Sequence, residues 1–426
     1  MTREPAPVSE RLAAYRRTLA TLGFFTLAAG DFWRYLLSWY GWGAIVLVLL
    51  TLGIVELVRA RLELRRLPLL LLATLGLMAL SIAWSAYRLE SVLGVVATLA
   101  TTTFAVFLAT CFTWRDLVDA LARAMRSALG LSLLFELVVA VFVRRPVLPF
   151  FVDYSHLETI PRAFYWSRDV LFDGGRIQGI VGNANILAMV ALLALIAEVA
   201  RRVANRGTLL GTVAWAGVAV AVLALTRSTT VLVAAAAVTA LVLVAWLARR
   251  ASGGRRVGIA VALVVGTLAV AGAAVVFRAP LLALAGRSSD LTNRLDIWAA
   301  VAGLGLERPV AGWGWISYWA PWVAPFDDLA IIRGVTYLQA HNAWLDVFLQ
   351  LGILGLVVVG LLVLTTLVRA WVYAMDGPRS SALVPFALLV AVLVQSLAES
   401  RLLIEIGWAL LVIVSIRTAT HRWERR

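Results

Sequence analysis

Lysine is absent from this chain of 426 residues, cysteine occurs once and histidine three times. A lone Cys111 can form no internal disulfide. The histidines, His156, His341 and His421, are scattered, and no Cys/His spacing resembles a ligand set, so neither a metal site nor a cofactor is expected. The Asp327 and Asp328 pair could in principle hold a divalent cation, but a solvated loop is the commoner situation and no further acidic partner is evident. Polar surface is scarce too. With 62% hydrophobic residues and a mean hydropathy of +0.91, too little of it remains for a soluble fold, which leaves the membrane class. Internal repeats, low-complexity tracts and a separate soluble domain are not evident either.

What the chain has in abundance is apolar sequence in bilayer-matching lengths. Runs of roughly 17 to 25 apolar residues recur along it, for example 44–57 lengthened by its flanks and 257–276. Each can cross about 30 Å of hydrocarbon as a helix that satisfies its own backbone hydrogen bonds. All 38 basic residues are arginine, a bias that fits a GC-rich genome. With helices laid down in order, Arg61, Arg65, Arg66, Arg115, Arg123, Arg201, Arg202, Arg206, Arg249, Arg250, Arg255 and Arg256 fall in short loops on one side. The positive-inside bias makes that side cytoplasmic. The stretch with Arg3, Arg11, Arg16 and Arg17 reads as a cytoplasmic tail, because no small-residue cleavage site marks it as a signal peptide.

These readings predict an all-α polytopic membrane protein, one domain over 1–426, with about twelve transmembrane helices and both termini cytoplasmic. Two long segments then fall outside: 145–185, and a large external (periplasmic) loop at 278–340. Long loops of this kind are usually functional or disordered. Phe150, Phe151, Tyr154, Phe164, Tyr165 and Trp166 in the first, and Trp313, Trp315, Trp319 and Trp322 in the second, argue for order. Short amphipathic helices capping the bundle are the expected form.

Polar groups placed at the outer boundary by this topology are the functional candidates, since an ionised side chain there costs a few kcal/mol unless paired or solvated. Arg176 precedes Gly182, Asn183 and Asn185 just before the sixth expected helix. Thr226, Arg227 and Ser228 occupy a tight turn between the next two. Asn293, Arg294, Asp296 and Trp298 lie in the large loop, with Arg294 and Trp298 sharing a face if helical. His341 and Asn342 open the tenth helix, and Glu399, Arg401 and Glu405 surround the last external turn. Arg176, Arg227 and Arg294 converging on one cavity would hold a multiply charged anion such as a pyrophosphate, because the guanidinium fork bonds bidentately and keeps its charge. His341 is suited to taking a proton from an attacking hydroxyl.

Each feature alone has a plainer reading. A single arginine near a helix end more often snorkels to lipid headgroups. A His-Asn pair, or Asn183 with Asn185, is more often a helix cap than a site. Trp298 and Trp344 fit packing or an interfacial anchor, and Glu399 with Arg401 fits a structural ion pair. The coincidence of five such features on one face is what favours function.

The order Arg-Ile-Gln-Gly-Ile-Val-Gly-Asn-Ala-Asn (176–185), Leu-Thr-Arg-Ser (225–228), Arg-Leu-Asp-Ile-Trp (294–298), Gly-Trp-Gly (312–314), Ala-His-Asn-Ala-Trp-Leu-Asp (340–346) and Gly-Ile-Leu-Gly (352–355) resembles the O-antigen ligase and O-antigen polymerase superfamily. The resemblance spans about 175–356; the first five helices match only in hydropathy. It implies a metal-independent glycosyltransferase of the bacterial inner membrane with its active site on the periplasmic face. Its expected partners are an undecaprenyl-diphosphate-linked glycan donor, a lipid-anchored glycan acceptor and membrane lipids, with no nucleic acid. By the same resemblance His341 activates the acceptor hydroxyl, Arg294 contacts the donor diphosphate, and the anomeric carbon inverts. Arg176 is a further diphosphate contact. Many relatives carry an arginine where this chain has Thr229, and Arg227 stands two residues earlier.

A ligase would attach the glycan to a second lipid such as the lipid A core, and a polymerase would add it to another undecaprenyl-linked repeat. The sequence leans to the ligase and does not separate the two. A transporter would gather ionisable groups near the bilayer midplane, often in an inverted repeat, whereas most interior runs here are free of charge. A glycosyltransferase using Asp31 in the first external loop would leave the His-Asn and Arg-x-x-x-Trp features without purpose.

Overall fold

The computed structural model of the chain describes residues 10–420 apart from 156, 260, 263–264, 267–287, 333 and 378–379. Most of the expected span at 257–276, the start of the expected loop at 278–287, His156, His421 and the tail with Arg3 lie outside the described residues. In chain order the named helices are α1 (Glu10–Ala28), α2 (Gly30–Arg59), α3 (Leu69–Leu80), α4 (Arg88–Cys111), α5 (Trp114–Val138), α6 (Ala184–Val203), α7 (Leu209–Thr226), α8 (Thr229–Arg250), α9 (Ser288–Glu307), α10 (Ala343–Asp376), α11 (Val384–Ser396) and α12 (Glu405–Thr420). The described structure is helical with almost no strand. Six of these helices are long and apolar enough to cross a membrane: α2, α4, α5 with its continuation to Val143, α7, α8 and α10. The protein is a multi-pass membrane protein.

Two compact units divide the chain, Met1–Leu62 with Thr103–Val231, and Glu63–Thr102 with Leu232–Arg426. In the first, α1 packs on α2 and α5, and α6 packs on α5 and α7. Two of the buried carboxylates described here are paired with arginines, as a low-dielectric interior favours. Glu56 receives Arg16 at 2.5 Å and Arg59 at 2.7 Å. Glu198 takes both Nε and Nη2 of Arg126 at 2.7 Å. In the second unit α10 is the hub, with α3, α9, α11 and α12 all packed on it.

The expected external loop 278–340 contains the helix α9, but elsewhere between the helices the chain departs from the expected short amphipathic helices. Residues 145–183 form an irregular segment with a Val147–Ser167 bridge and single 3-10 turns at Arg162–Phe164 and Gly179–Val181. Beyond α9, the chain runs through turns and a small hairpin of β1 (Ile331–Ile332) and β2 (Val335–Thr336) to Asn342. Pro309, Pro321 and Pro325, together with Gly312 and Gly314 at positive φ, leave no uninterrupted stretch for a helix. Two of the four tryptophans go inward instead, while Trp322 stays exposed. Trp315 and Trp319 are fully buried, and the Trp315 Nε1 donates to Thr98 Oγ1 at 3.0 Å, the acceptor a buried indole needs.

The same segment repairs a break in α10. Gly352 has φ +62, which ends the helical ladder inside an apolar run and frees backbone groups on both sides. Trp313 N donates to Leu349 O at 3.0 Å and Gly314 N to Gln350 O at 2.9 Å; Ile353 N and Leu354 N reach Pro309 O and Val310 O at 2.8 and 3.1 Å. Gln350 Oε1 accepts from Ile316 N and Ser317 N at 2.9 and 3.0 Å. Tyr87, whose phenol burial pushes up and so keeps neutral, donates to Gly314 O at 2.9 Å. Residues 309–317 thus strap the short N-terminal part of α10, the part that follows His341, into the second unit.

Candidate active site

Within the second unit three elements meet at Glu399. Arg294 and Trp298, four residues apart on α9, lie on one helical face as their spacing requires. Arg294 Nη2 donates to Glu399 Oε1 at 3.0 Å, and Trp298 Nε1 donates to the carbonyl of Ala340 at 3.0 Å. His341 Nδ1 lies 2.9 Å from Glu399 Oε2. The carboxylate is only 5% exposed, so its charge acts on both neighbours with little screening by water. With Nδ1–H given to Glu399, the imidazole lone pair is on Nε2, the arrangement in which a carboxylate fixes the tautomer of a general base.

Local backbone chemistry explains why His341 sits there. It adopts φ +50, a left-handed conformation uncommon for a residue with a Cβ. Asn342 follows as the cap of α10, accepting from Trp344 N and Leu345 N at 3.0 and 3.3 Å. The same side chain donates from Nδ2 to Leu397 O at 3.3 Å, and Trp344 Nε1 donates to Ser396 Oγ at 3.1 Å. The cap reading of Asn342 is therefore correct, and the cap also ties α10 to the turn that carries Glu399. Tyr337 packs edge-on against the imidazole, with centroids 5.5 Å apart. Arg401 pairs with Glu405, four residues on. Asp296 is exposed, and the Asn293 side chain lies outside the described ones.

The remaining candidates form a group of their own in the first unit. Arg176 Nε donates to Thr226 O at 3.0 Å and Nη2 to Asn185 Oδ1 at 2.7 Å; Ser228 Oγ donates to the same oxygen at 2.9 Å. Asn183 caps α6 through Asn185 N and Ile186 N at 2.8 and 3.3 Å. Arg227 ends α7 in the left-handed conformation, φ +47, making the tight turn that its position between two apolar runs predicts. Arg176 thus laces this turn to the start of α6.

Among the described residues no three His, Cys, Asp or Glu side chains gather as a metal would require, and Asp327 and Asp328 are both exposed.

Residues 212–360 match the family model described as O-antigen ligase. Over that segment the chain is similar to the O-antigen ligase family. No curated protein matches the chain. The O-antigen ligase match takes in Arg227, Arg294, Trp298, His341 and Asn342, whereas Arg176, Asn183 and Asn185 precede it and Glu399 and Arg401 follow it. The carboxylate on which Arg294 and His341 meet is thus supplied from beyond the matched segment.

Two residues that organise these groups escaped the reading of the sequence. Glu136 in α5 is 1% exposed; its Oε1 accepts from Gln178 N and Gly179 N at 2.9 and 2.7 Å and its Oε2 from Ser167 Oγ at 2.8 Å. Asp346 in α10 is 1% exposed and accepts from Ala340 N at 3.1 Å and from the Ser400 hydroxyl. The available signal was the rule that an ionisable residue inside an apolar run has a specific partner.

Proposed function

We propose that this protein is an O-antigen ligase-like glycosyltransferase that moves a glycan from undecaprenyl diphosphate to a hydroxyl of a lipid-anchored acceptor, the lipid A core in lipopolysaccharide synthesis. The observation that carries the reading is the single buried carboxylate of Glu399 holding both Arg294 and His341. His341 Nε2 takes the proton of the acceptor hydroxyl as its oxygen attacks the anomeric carbon from the face opposite the diphosphate. The bond from that carbon to the diphosphate oxygen breaks, the electron pair leaves with the diphosphate, and the configuration inverts. Arg294 supports the charge that develops there, a task suited to a bidentate cation in a partly dry site. Glu399 keeps the imidazole in its working tautomer and orientation.

In the first unit we assign Arg227 to anion contact, presented by its tight turn, and Arg176 to holding that turn as well as to diphosphate contact. Asn183, Asn185 and Arg401 support the local backbone, and Asn342 and Trp298 hold the two ends of the His341 turn. The membrane arrangement we propose is one domain of about twelve spans, both termini cytoplasmic, in the bacterial inner membrane with the site on the periplasmic face. A polymerase extending undecaprenyl-linked repeats would use the same chemistry with a different acceptor. Freedom from metal is what the family resemblance implies.

The deciding experiment is a proteoliposome assay with a lipid-diphosphate-linked glycan and a lipid A core acceptor in the presence of chelator. Release of undecaprenyl diphosphate together with glycosylated acceptor is expected. Solute uptake with no diphosphate release would overturn the transferase reading in favour of a transporter, and product formed only on undecaprenyl-linked repeats would move the assignment to the polymerase.

A further inference from the structure

The proposed transfer leaves without a role the carboxylate that is most deeply placed among the described residues of the second unit. Asp346 lies on α10, four residues beyond the Asn342 cap, and is 1% exposed. An ionisable group is expensive in such a place unless hydrogen bonds hold it, so its partners tell what it is for. One oxygen, Oδ2, accepts from the backbone N–H of Ala340 at 3.1 Å and from the hydroxyl of Ser400, and the Trp319 indole also lies beside the carboxylate. Ala340 is the residue before His341, and Ser400 is the residue after Glu399. A single atom therefore pins two chain segments 60 residues apart at the points adjoining the imidazole and the carboxylate that faces it.

The turn needs such a pin. His341 is in the left-handed region, where a residue with a Cβ persists only when its surroundings fix it. Glu399 sits in extended backbone just before a single 3-10 turn, Ser400–Leu403, which by itself is a weak constraint. The Trp298 indole fixes the carbonyl of Ala340 while Asp346 fixes its N–H, so both polar groups of the residue before His341 are held.

We propose that Asp346 is a positioning residue that sets the His341–Glu399 hydrogen bond by clamping Ala340 and Ser400 to one carboxylate oxygen. The proposal rests on His341 being the base. It differs from ordinary support of the fold in what it demands: loss of Asp346 must act through Glu399.

The test uses the full-length protein in proteoliposomes and a double-mutant cycle. Asp346→Ala, which removes the acceptor oxygen, should lower kcat about 10- to 100-fold, the range seen when an orienting partner is removed, with little change in KM. Placed on Glu399→Ala, the same change should cost no more than about twofold, because the hydrogen bond it sets is already lost. Ser400→Ala should share the kcat loss, and Ser400→Thr, which keeps the hydroxyl, should recover most of it. Asp346→Asn, which keeps one acceptor oxygen, should recover most of the activity lost in Asp346→Ala. The proposal is overturned if Asp346→Ala turns over normally, if its loss multiplies in full with that of Glu399→Ala, or if it lowers only the yield of folded protein. Should Asp346→Ala fail to fold, the Ser400→Ala and Ser400→Thr pair decides, equal activity of the two counting against the clamp. A fully active His341→Ala would remove the base itself; an inactive His341→Ala beside a normal Asp346→Ala would sink the clamp alone.

Discussion

Glu136 in the first unit and Glu399 in the second are both buried carboxylates on the way to a group of polar residues, yet they do opposite things with their charge. Glu136 gives its oxygens to two backbone amides and a serine hydroxyl, none of which titrates near neutral pH. Glu399 gives its oxygens to a guanidinium and an imidazole. A carboxylate on backbone amides fixes the path of the chain, here the stretch that leads from Arg176 into α6. A carboxylate on two side chains that can themselves bind an anion and move a proton fixes a reaction geometry. Burial alone therefore does not mark the reactive place; the identity of the partners does.

The largest effect should come from the imidazole. His341→Ala is expected to lower transfer by about 10²- to 10⁴-fold, the usual weight of a general base, while folded yield stays the same. Arg294→Ala should follow at about 10²- to 10³-fold, and Arg294→Lys should recover little, because an ammonium cannot reproduce the planar fork. Steady-state kinetics in proteoliposomes read both, and a His341→Ala enzyme at full speed would erase the distinction drawn between the two glutamates.

Between these and the structural changes stands Gly352. An alanine there would carry its Cβ into the carbonyl of Val310 at a φ of +62, so the strap and the N-terminal part of α10 must shift. Gly352→Ala should cost about 1 to 3 kcal/mol, read as a lower melting temperature in detergent. Activity should fall with it, since His341 and Asn342 adjoin that part of α10. Unchanged melting would mean that the strap is not what holds this part of α10.

How much of this was readable beforehand follows from the range of the interactions. The helical class, the turn at Arg227 and the shared face of Arg294 and Trp298 depend on residues within a few positions of one another, and periodicity exposes them. The pairings at Glu399 join residues 105 and 58 positions away, and nothing local in Ala-Glu-Ser-Arg marks which partners it takes. The structure shows Arg401 on Glu405 and Glu399 on Arg294 and His341, partners that the neighbouring residues do not announce. Tryptophans 313, 315, 319 and 322 pointed to amphipathic helices. Their glycine and proline neighbours instead let the backbone plug the gap at Gly352, a role that becomes visible only when the freed carbonyls of Leu349 and Gln350 are counted.

One substitution made in both places separates architecture from chemistry. Glu399→Gln keeps the shape but removes the charge that orients His341 and opposes Arg294, so transfer should fall about 10²-fold or more with the fold intact. Glu136→Gln keeps an amide oxygen for Gln178 N and Gly179 N and turns an N–H toward Ser167 Oγ, which can accept it as readily as it donates. Its cost should be only the difference between charged and neutral hydrogen bonds, about 1 kcal/mol, seen as a small drop in melting temperature with kcat unchanged. If the two variants lost activity equally, the first unit's carboxylate would belong to the chemistry as well, and partner identity would not be the criterion that tells a reactive buried glutamate from a structural one.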